Sequence, residues 1–234
     1  MPQKFSPVGA RWSRLRSTDD GWYDSNPFGT RYLLGNRWAI HTGADLNLPG
    51  NADKDMPVYA MQDGEVIFAA RVPRSTWGNL LVIRHADKLH TRYAHLARLF
   101  VKKGDTVRGG EIVGAIGNSG MEHIPGNDHL HFDVCTSGLL QKVPLHWAWD
   151  DWDAVFANYT DPFRYIFTTV VITRARVMTG GKRLNVRANP SLAAPVISQL
   201  EDRSIVDVYY ADGWSQLVKP VGWVATRFLA PLNQ

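Results

Sequence analysis

Between Trp38 and Val134 the helical spacing of apolar residues is nearly absent; short apolar or alternating runs are instead cut every few residues by Gly, Pro or Asp. A segment patterned this way buries its apolar side chains by laying alternate residues of short strands on a common core, so an all-β domain is expected. The candidate strands are Ala44 to Leu48, Pro57 to Ala60, Glu65 to Ala70, Asn79 to His85, Leu89 to Leu96, Thr106 to Val107, Ile112 to Ile116 and His129 to Cys135. Turn residues at Asp63-Gly64 and Ala86-Asp87-Lys88 join runs that are neighbours in sequence, which makes the sheet mainly antiparallel.

The pattern changes at Ser137 to Tyr165, where Trp147, Trp149 and Trp152 stand among Asp150, Asp151 and Asp153, and a short helix is expected before Asp161-Pro162. Beyond about Val171 short strands resume as far as Leu232, with turn signals at Gly180-Gly181, Asn189-Pro190 and Asp212-Gly213, the pattern of a small barrel. The 234 residues thus read as a first domain over 1–170, with its core at about 28–135 and a Trp-rich appendage at 137–165, and a second over 171–234.

Composition narrows the chemistry. Hydrophobic residues at 44% and charged residues at 21% supply enough apolar material for a packed core. The single cysteine, Cys135, excludes an internal disulfide and any multi-cysteine zinc knuckle, so a metal must be held by His and carboxylate. A net charge of +4 favours anionic partners, but no run of five like charges marks a dedicated nucleic-acid binder. No stretch approaches the roughly 18 apolar residues of a membrane span. Met1 to Asp20 is polar and lacks an apolar signal-peptide core, which leans the expectation toward a phage-type lysin.

Five of the sites that matter fall in three segments: His41-Thr-Gly-Ala-Asp45, Tyr93-Ala-His95-Leu96 and His129-Leu-His131-Phe-Asp133. Strict alternation in the last puts His129 and His131 on one face of a strand and Leu130 and Phe132 on the other. Gly43 between His41 and Asp45, and the alternation that follows, indicate a loop running into a strand rather than the helical H-E-x-x-H arrangement. A catalytic zinc site needs about three protein ligands and an open position for water, with a base and an oxyanion donor nearby, and mixed His and carboxylate sets satisfy it. Either segment alone would ordinarily be structural; their occurrence together in one β-rich domain points to a metal centre.

These residues resemble the lysostaphin-type (LytM-like) zinc metallopeptidases that hydrolyse bacterial peptidoglycan. The family's H-x-G-x-D is matched by His41 to Asp45, its V-x-A and D-G-x-V by Val58 to Ala60 and Asp63 to Val66, its Y-x-H-L by Tyr93 to Leu96, its glycine-rich hairpins by Val101 to Gly120, and its H-L-H-F-E/D by His129 to Asp133. The likeness covers roughly Phe28 to Val134, with Asp161-Pro162-Phe163 similar to the family's closing segment. It implies a glycine-rich, sandwich- or barrel-like β domain with zinc held by His41, Asp45 and His131. It also implies a catalytic pair in which His129 is the general base and His95 steadies the oxyanion, roles that can be exchanged between them. Asp133, on the same strand face, is either a partner that orients an imidazole or an exposed strand residue.

Two departures, a longer Asn51 to Met56 and a longer Met121 to Asp128, lie beside the implied groove and bear on which peptide fits. His85, His90, His123 and His146 are expected to be structural. The second domain resembles a bacterial SH3-type domain through Leu184-Asn-Val-Arg-Ala-Asn-Pro190, Val196-Ile197, Gly213-Trp214 and Gly222-Trp223-Val224, which implies a small β-barrel that binds the wall. The implied protein is an extracytoplasmic endopeptidase acting as a monomer on the peptide part of peptidoglycan, with no nucleic-acid partner. The alternative is a catalytically inactive wall-binding or activator protein of the same fold; such relatives usually lack ligands, and here all three and both catalytic histidines are present. A biotinyl or lipoyl carrier is set aside, because the turn that would present its Lys reads Arg108-Gly109-Gly110-Glu111.

Overall fold

The computed structural model describes residues 4–9, 12, 21–86, 88–167, 172–187, 192, 195–209, 214–217 and 222–232. The chain divides into two compact units, Met1–Thr168 and Thr169–Gln234.

In the first unit the strands run β1 (Tyr23–Asn26), β2 (Arg31–Leu34), β3 (Arg37–Ile40), β4 (Gly43–Asn47), β5 (Pro57–Tyr59), β6 (Gly64–Arg71) and β7 (Asn79–Arg84). They continue as β8 (His90–Leu96), β9 (Arg98–Leu99), β10 (Thr106–Val107), β11 (Ile112–Ala115), β12 (Leu130–Cys135) and β13 (Tyr159–Thr160). The main sheet has the order β1-β4-β12-β8-β7-β6-β10, with β13 added to β12; β5-β11-β9 form a smaller sheet, and β2 and β3 a hairpin. The described pairings are antiparallel, for example His131 opposite Asp45 on one side and Ala94 on the other.

Alternation accounts for the layering. Leu130, Phe132 and Val134 of β12 join Leu81 and Ile83 of β7 in one apolar cluster with Val58, Met61, Val113 and Ile116. On the opposite face Val82 and Cys135 pack with Phe28, Ile40, Leu140 and Val155. Burying a Leu- or Phe-sized side chain contributes about 1.5–3 kcal/mol, so both faces of the central strands are held firmly. Two short helices cover the second face, α1 (Leu139–Lys142) and α2 (Trp152–Asn158), while α3 (Pro162–Phe167) packs Phe163, Ile166 and Phe167 against the first cluster. The helix expected before Asp161-Pro162 is α2; Asp151 caps it by accepting from Ala154 N at 2.9 Å.

The expected strands recur within one or two residues, and five were not expected: the two-residue β9 and β13 and, longer than these, β1 and the two strands of the β2–β3 hairpin. The sequences of the last three, Tyr-Asp-Ser-Asn and two half-exposed runs, bury too little to leave an apolar signature. The polar start also contributes to the core: Val8 and Trp12 are buried in it, with the Trp12 ring 4.7 Å from that of Phe167. At the turn after β7, Leu89 N donates to Ala86 O at 3.0 Å, while Asp87 lies outside the described residues.

The second unit contains β14 (Ile172–Val177), β15 (Leu184–Arg187), β16 (Val196–Leu200), β17 (Ile205–Tyr209), β18 (Trp214–Leu217), β19 (Gly222–Ala225) and β20 (Leu229–Pro231). They pair antiparallel in the order β16-β15-β19-β18-β17-β14-β20 over a core that includes Val177, Val186, Val208, Leu217 and Val224. The turn at Gly180-Gly181 has both glycines at positive φ, 68° and 89°, and Asp202 accepts from Thr179 N and Gly181 N. Asn189-Pro190 and Asp212-Gly213 lie outside the described residues. Across both units the architecture is mainly antiparallel β, as the sequence pattern predicts, and no described helix is long and apolar enough to cross a membrane.

Candidate active site

His41 follows β3 in the short link to β4, where its N–H donates to Thr30 O at 2.8 Å and its carbonyl accepts from Gly29 N at 2.9 Å. Asp45 lies within β4 and His131 within β12, directly opposite one another in register. β4 can approach β12 this closely only because residue 43 is glycine: a Cβ there would come within 2.2 Å of Phe132 O and 2.7 Å of Asp133 Oδ1.

These elements bring three ligand atoms together. His41 Nε2 is 3.0 Å from Asp45 Oδ1 and 2.9 Å from His131 Nδ1, and His131 Nδ1 is 2.9 Å from Asp45 Oδ1. The edges are a few tenths of an ångström short of the roughly 3.3 Å that zinc–ligand bonds of ~2.0–2.1 Å would set in a tetrahedron. With both imidazoles deprotonated at these nitrogens, each of the three atoms would offer a lone pair to the same point, which a divalent cation fills. Asn26 Nδ2 donates to Asp45 Oδ2 at 3.0 Å, which leaves Oδ1 as the oxygen aimed at the site. A His/Asp/His set without thiolate suits zinc.

Burial works against charge on His131, yet Asp133 and Asp45 flank it and lift it to about 9. Burial likewise works against the Asp45 carboxylate, but His41, His131 and His129 hold it well below the usual range.

His129 and His95 stand beside this triangle, their ring centroids 4.6 Å apart, with His129 Nε2 3.9 Å from Asp45 Oδ1. His129 precedes β12 and makes a single bridge to Gly117. Its Nδ1 donates to Asn127 O at 2.8 Å. His95 gets there by an irregularity in β8: between Tyr93 and Leu96 this strand carries one residue more than β7 opposite it, and His95 sits in that bulge with φ 62°. Tyr93 and Leu96 therefore both reach the apolar core, while the imidazole between them joins the other histidines. Burial, then the neighbouring His129 and His131, push His95 well below the usual imidazole range, so it is neutral. Its Nδ1 contact with Ser119 O is long, at 3.3 Å.

Asp133 is buried, not an exposed strand residue. Its Oδ2 accepts from Arg92 Nε at 2.5 Å and lies 3.1 Å from His131 Nε2, close enough for an ion pair though not aligned as a hydrogen bond. Arg92, wholly buried across the strand from Asp133, also donates to Pro144 O and His146 O and stacks on Trp77 at 4.0 Å. The edge of Trp77 meets His131 at 5.3 Å. Sequence reasoning did not single out Arg92, Trp77, Asn26 or Tyr32. A charged residue inside the otherwise buried run of β8 was a usable signal for Arg92; Asn26 and Tyr32 gave none. Tyr32 lies 6.1 Å from His41 by ring centroids, and burial, with the charges of Asp45 and Asp133, pushes its hydroxyl up, so it stays a donor.

The two lengthened loops meet each other: Asn51 Nδ2 donates to Asp128 Oδ2 at 3.0 Å and Asp128 N donates to Asn51 Oδ1 at 3.1 Å. The other histidines are elsewhere. His85 is held by Asp63 O and Thr91 Oγ1, His90 by Lys88 O and Gln141, and His146 by Tyr159 Oη; His123 is exposed in the second of these loops.

Residues 39–143 match Peptidase family M23. Over 115 residues the chain is 37% identical to the DD-carboxypeptidase/endopeptidase Mpg of Neisseria meningitidis serogroup B, covering 49% of this chain and 24% of that protein. Over 122 residues it is 36% identical to the peptidoglycan DD-endopeptidase ShyA of Vibrio cholerae serotype O1, covering 51% of this chain and 26% of that protein. The chain thus spans about a quarter of the length of these relatives. Among solved structures, a chain of the SpoIIQ–SpoIIIAH pore-forming complex shares the fold at a TM-score of 0.52 and 20% identity, over 71% of this chain and 92% of that one. The matched segment, residues 39–143, holds His41, Asp45, His95, His129 and His131.

Proposed function

We propose that the protein is a zinc-dependent endopeptidase that hydrolyses peptide cross-links or stem peptides of bacterial peptidoglycan. The observation that carries this reading is the convergence of His41 Nε2, Asp45 Oδ1 and His131 Nδ1 beside two further imidazoles. His41, Asp45 and His131 would hold a zinc ion, which when bound would acidify a water and polarise the scissile carbonyl. His129, its Nδ1 proton committed to Asn127 O, presents the Nε2 lone pair and acts as general base on the attacking water. The proton it takes is then delivered to the departing amine. Neutral His95 has one N–H; in the tautomer that carries it on Nε2, rather than on the Nδ1 facing Ser119 O at 3.3 Å, that N–H donates to the oxyanion. Tyr32 is a further neutral donor on the His41 side. The names of the two relatives support a peptidase substrate, and ShyA's supports peptidoglycan in particular.

The second unit, 171–234 in this reading, is a wall-binding domain of the bacterial SH3 type that raises the local concentration of an insoluble substrate without altering the chemistry. The protein works outside the cytoplasm, as a monomer. Digestion of purified peptidoglycan with and without a chelator, followed by mass analysis of the fragments, tests the enzymatic reading. New peptide termini are expected only with zinc and only when His131 is intact; unchanged fragments from zinc-loaded protein would favour the inactive wall-binding alternative.

A further inference from the structure

The C-terminal unit carries the charge imbalance of the chain. Residues 169–234 hold eight Lys or Arg against four Asp or Glu, a net +4 that equals the +4 of the whole sequence, so the first 168 residues are balanced. Four of those eight cations, Lys182, Arg183, Arg187 and Arg227, line one cleft of about 200 Å³ together with Trp214 and Phe228. Among the described residues no Asp or Glu lines it. Arg183 reaches out of the cleft to Glu201 at 2.8 Å, but both side chains are more than half exposed, and such surface pairs are weak and exchangeable. The Arg227 guanidinium lies 4.9 Å from the Phe228 ring, and Leu192 stands at the rim with 70% of its surface exposed.

We propose that this cleft binds a carboxylate-bearing peptide, with the carboxylate among the four cations and its aliphatic neighbours against Trp214, Phe228 and Leu192. Guanidinium groups take carboxylates by paired, charge-assisted hydrogen bonds. The mixture of cations with exposed apolar surface fits an anion attached to a hydrocarbon body better than a polyol phosphate, which is hydrophilic throughout. The small cleft fits one side chain or chain end; a nucleic acid or other polyanion would be tracked by a stripe of charge across the surface. That the natural ligand is a wall stem peptide rests on the wall-binding reading above, whereas the preference for a carboxylate does not.

Calorimetric titration of the full chain tests the cleft with three probes. They are the tripeptide L-alanyl-γ-D-glutamyl-diaminopimelic acid, its carboxyl methyl esters, and inorganic phosphate, each titrated into protein carrying His129→Ala so that no stem-peptide bond is cut during the measurement. The tripeptide is expected to bind, and esterification or the double substitution Lys182→Gln/Arg227→Gln to weaken it by about tenfold or more. Arg203→Gln, an 84%-exposed cation that does not line the cleft, should change affinity by less than about twofold. Both cleft substitutions are at exposed positions, and an unchanged melting temperature establishes that the variant is folded. Equal binding of the esters, or unaltered affinity in the double variant, overturns the proposal. Phosphate binding as tightly as the tripeptide, and lost in the double variant, overturns the carboxylate preference. Co-sedimentation with purified peptidoglycan separates the two readings. Loss of tripeptide binding with sedimentation unchanged keeps the cleft and removes its role in wall anchoring. Sedimentation by a chain that ignores the tripeptide keeps anchoring and removes the cleft.

Discussion

Arg92 and Asp133 face each other across β8 and β12, both wholly buried, with Nε and Oδ2 2.5 Å apart. The pair ties three things together: the 144–146 segment through the two carbonyls that Arg92 holds, the Trp77 ring on which it stacks, and His131, which Asp133 touches from behind.

Arg92→Met is expected to cost about 3–5 kcal/mol of stability, because it leaves the Asp133 charge buried without its guanidinium partner. The double substitution Arg92→Met/Asp133→Leu should lie closer to the wild type than Arg92→Met does. Urea unfolding of the three metal-free proteins measures this, and a milder loss for the single variant than for the double would contradict it.

His131 must give up its proton to hold a metal ion. With the imidazole lifted to about 9, zinc affinity should rise about tenfold per pH unit between pH 6 and 8.5, measured by competition with a chromophoric chelator. Asp133→Asn should lower affinity at neutral pH by about 10- to 100-fold. The same raised value makes a statement about the metal-free fold. Its contribution is fully present below the unfolded histidine value of 6.5 and is lost as pH climbs through about 9, on the order of 3 kcal/mol. Metal-free protein is therefore expected to lose stability across that window more steeply than zinc-loaded protein.

His129→Ala and His95→Ala should each lower kcat by about 10²- to 10⁴-fold while the zinc content stays at the wild-type level. The two losses are expected to overlap rather than multiply, since the imidazoles serve one transition state. Metal analysis beside steady-state kinetics decides this; a zinc-depleted His129→Ala protein would move that residue into the ligand set.

Asp53, in the first of the two clasped loops, is buried, and the backbone N–H groups of Leu48 and of Asp53 itself face its carboxylate without reaching full hydrogen-bond geometry. Burial, with the Asp128 charge adding to it, lifts its carboxyl to about 6. A raised acid favours the fold below its unfolded value near 3.8, and that advantage is lost as pH rises through about 6. Asp53→Asn should accordingly stabilise the protein by about 1–2 kcal/mol at pH 7.5 and by nothing at pH 4, a comparison that paired thermal melts at the two pH values make directly.

What the sequence made legible follows from which signals are periodic. Alternation in Leu130-His131-Phe132-Asp133 announces both the strand and its two faces, and the core side of that strand is occupied as the pattern predicts. The Asn26–Asp45 hydrogen bond gave no such notice, because β1 is a short polar edge strand whose pairing with β4 depends on the rest of the sheet. Arg92 was half legible: a cation amid Thr91, Tyr93 and Ala94 needs a buried partner, but naming Asp133 requires the register that places Ala94 opposite His131. Alternation also misleads at His95, since it would set Tyr93 and His95 on the same face; only the extra residue in β8 separates them.

An engineer who straightened β8, removing the surplus residue to obtain a regular ladder, would relieve a backbone held at φ 62°, an arrangement that costs a non-glycine residue about 1–2 kcal/mol. With a single residue left between Tyr93 and Leu96, the imidazole would be lost or would shift into the place of Ala94 opposite His131, leaving a sturdier protein whose donor no longer stands where the bulge holds it. Stiffness and reactivity are traded at a single residue here, and searches for thermostable variants should leave it alone.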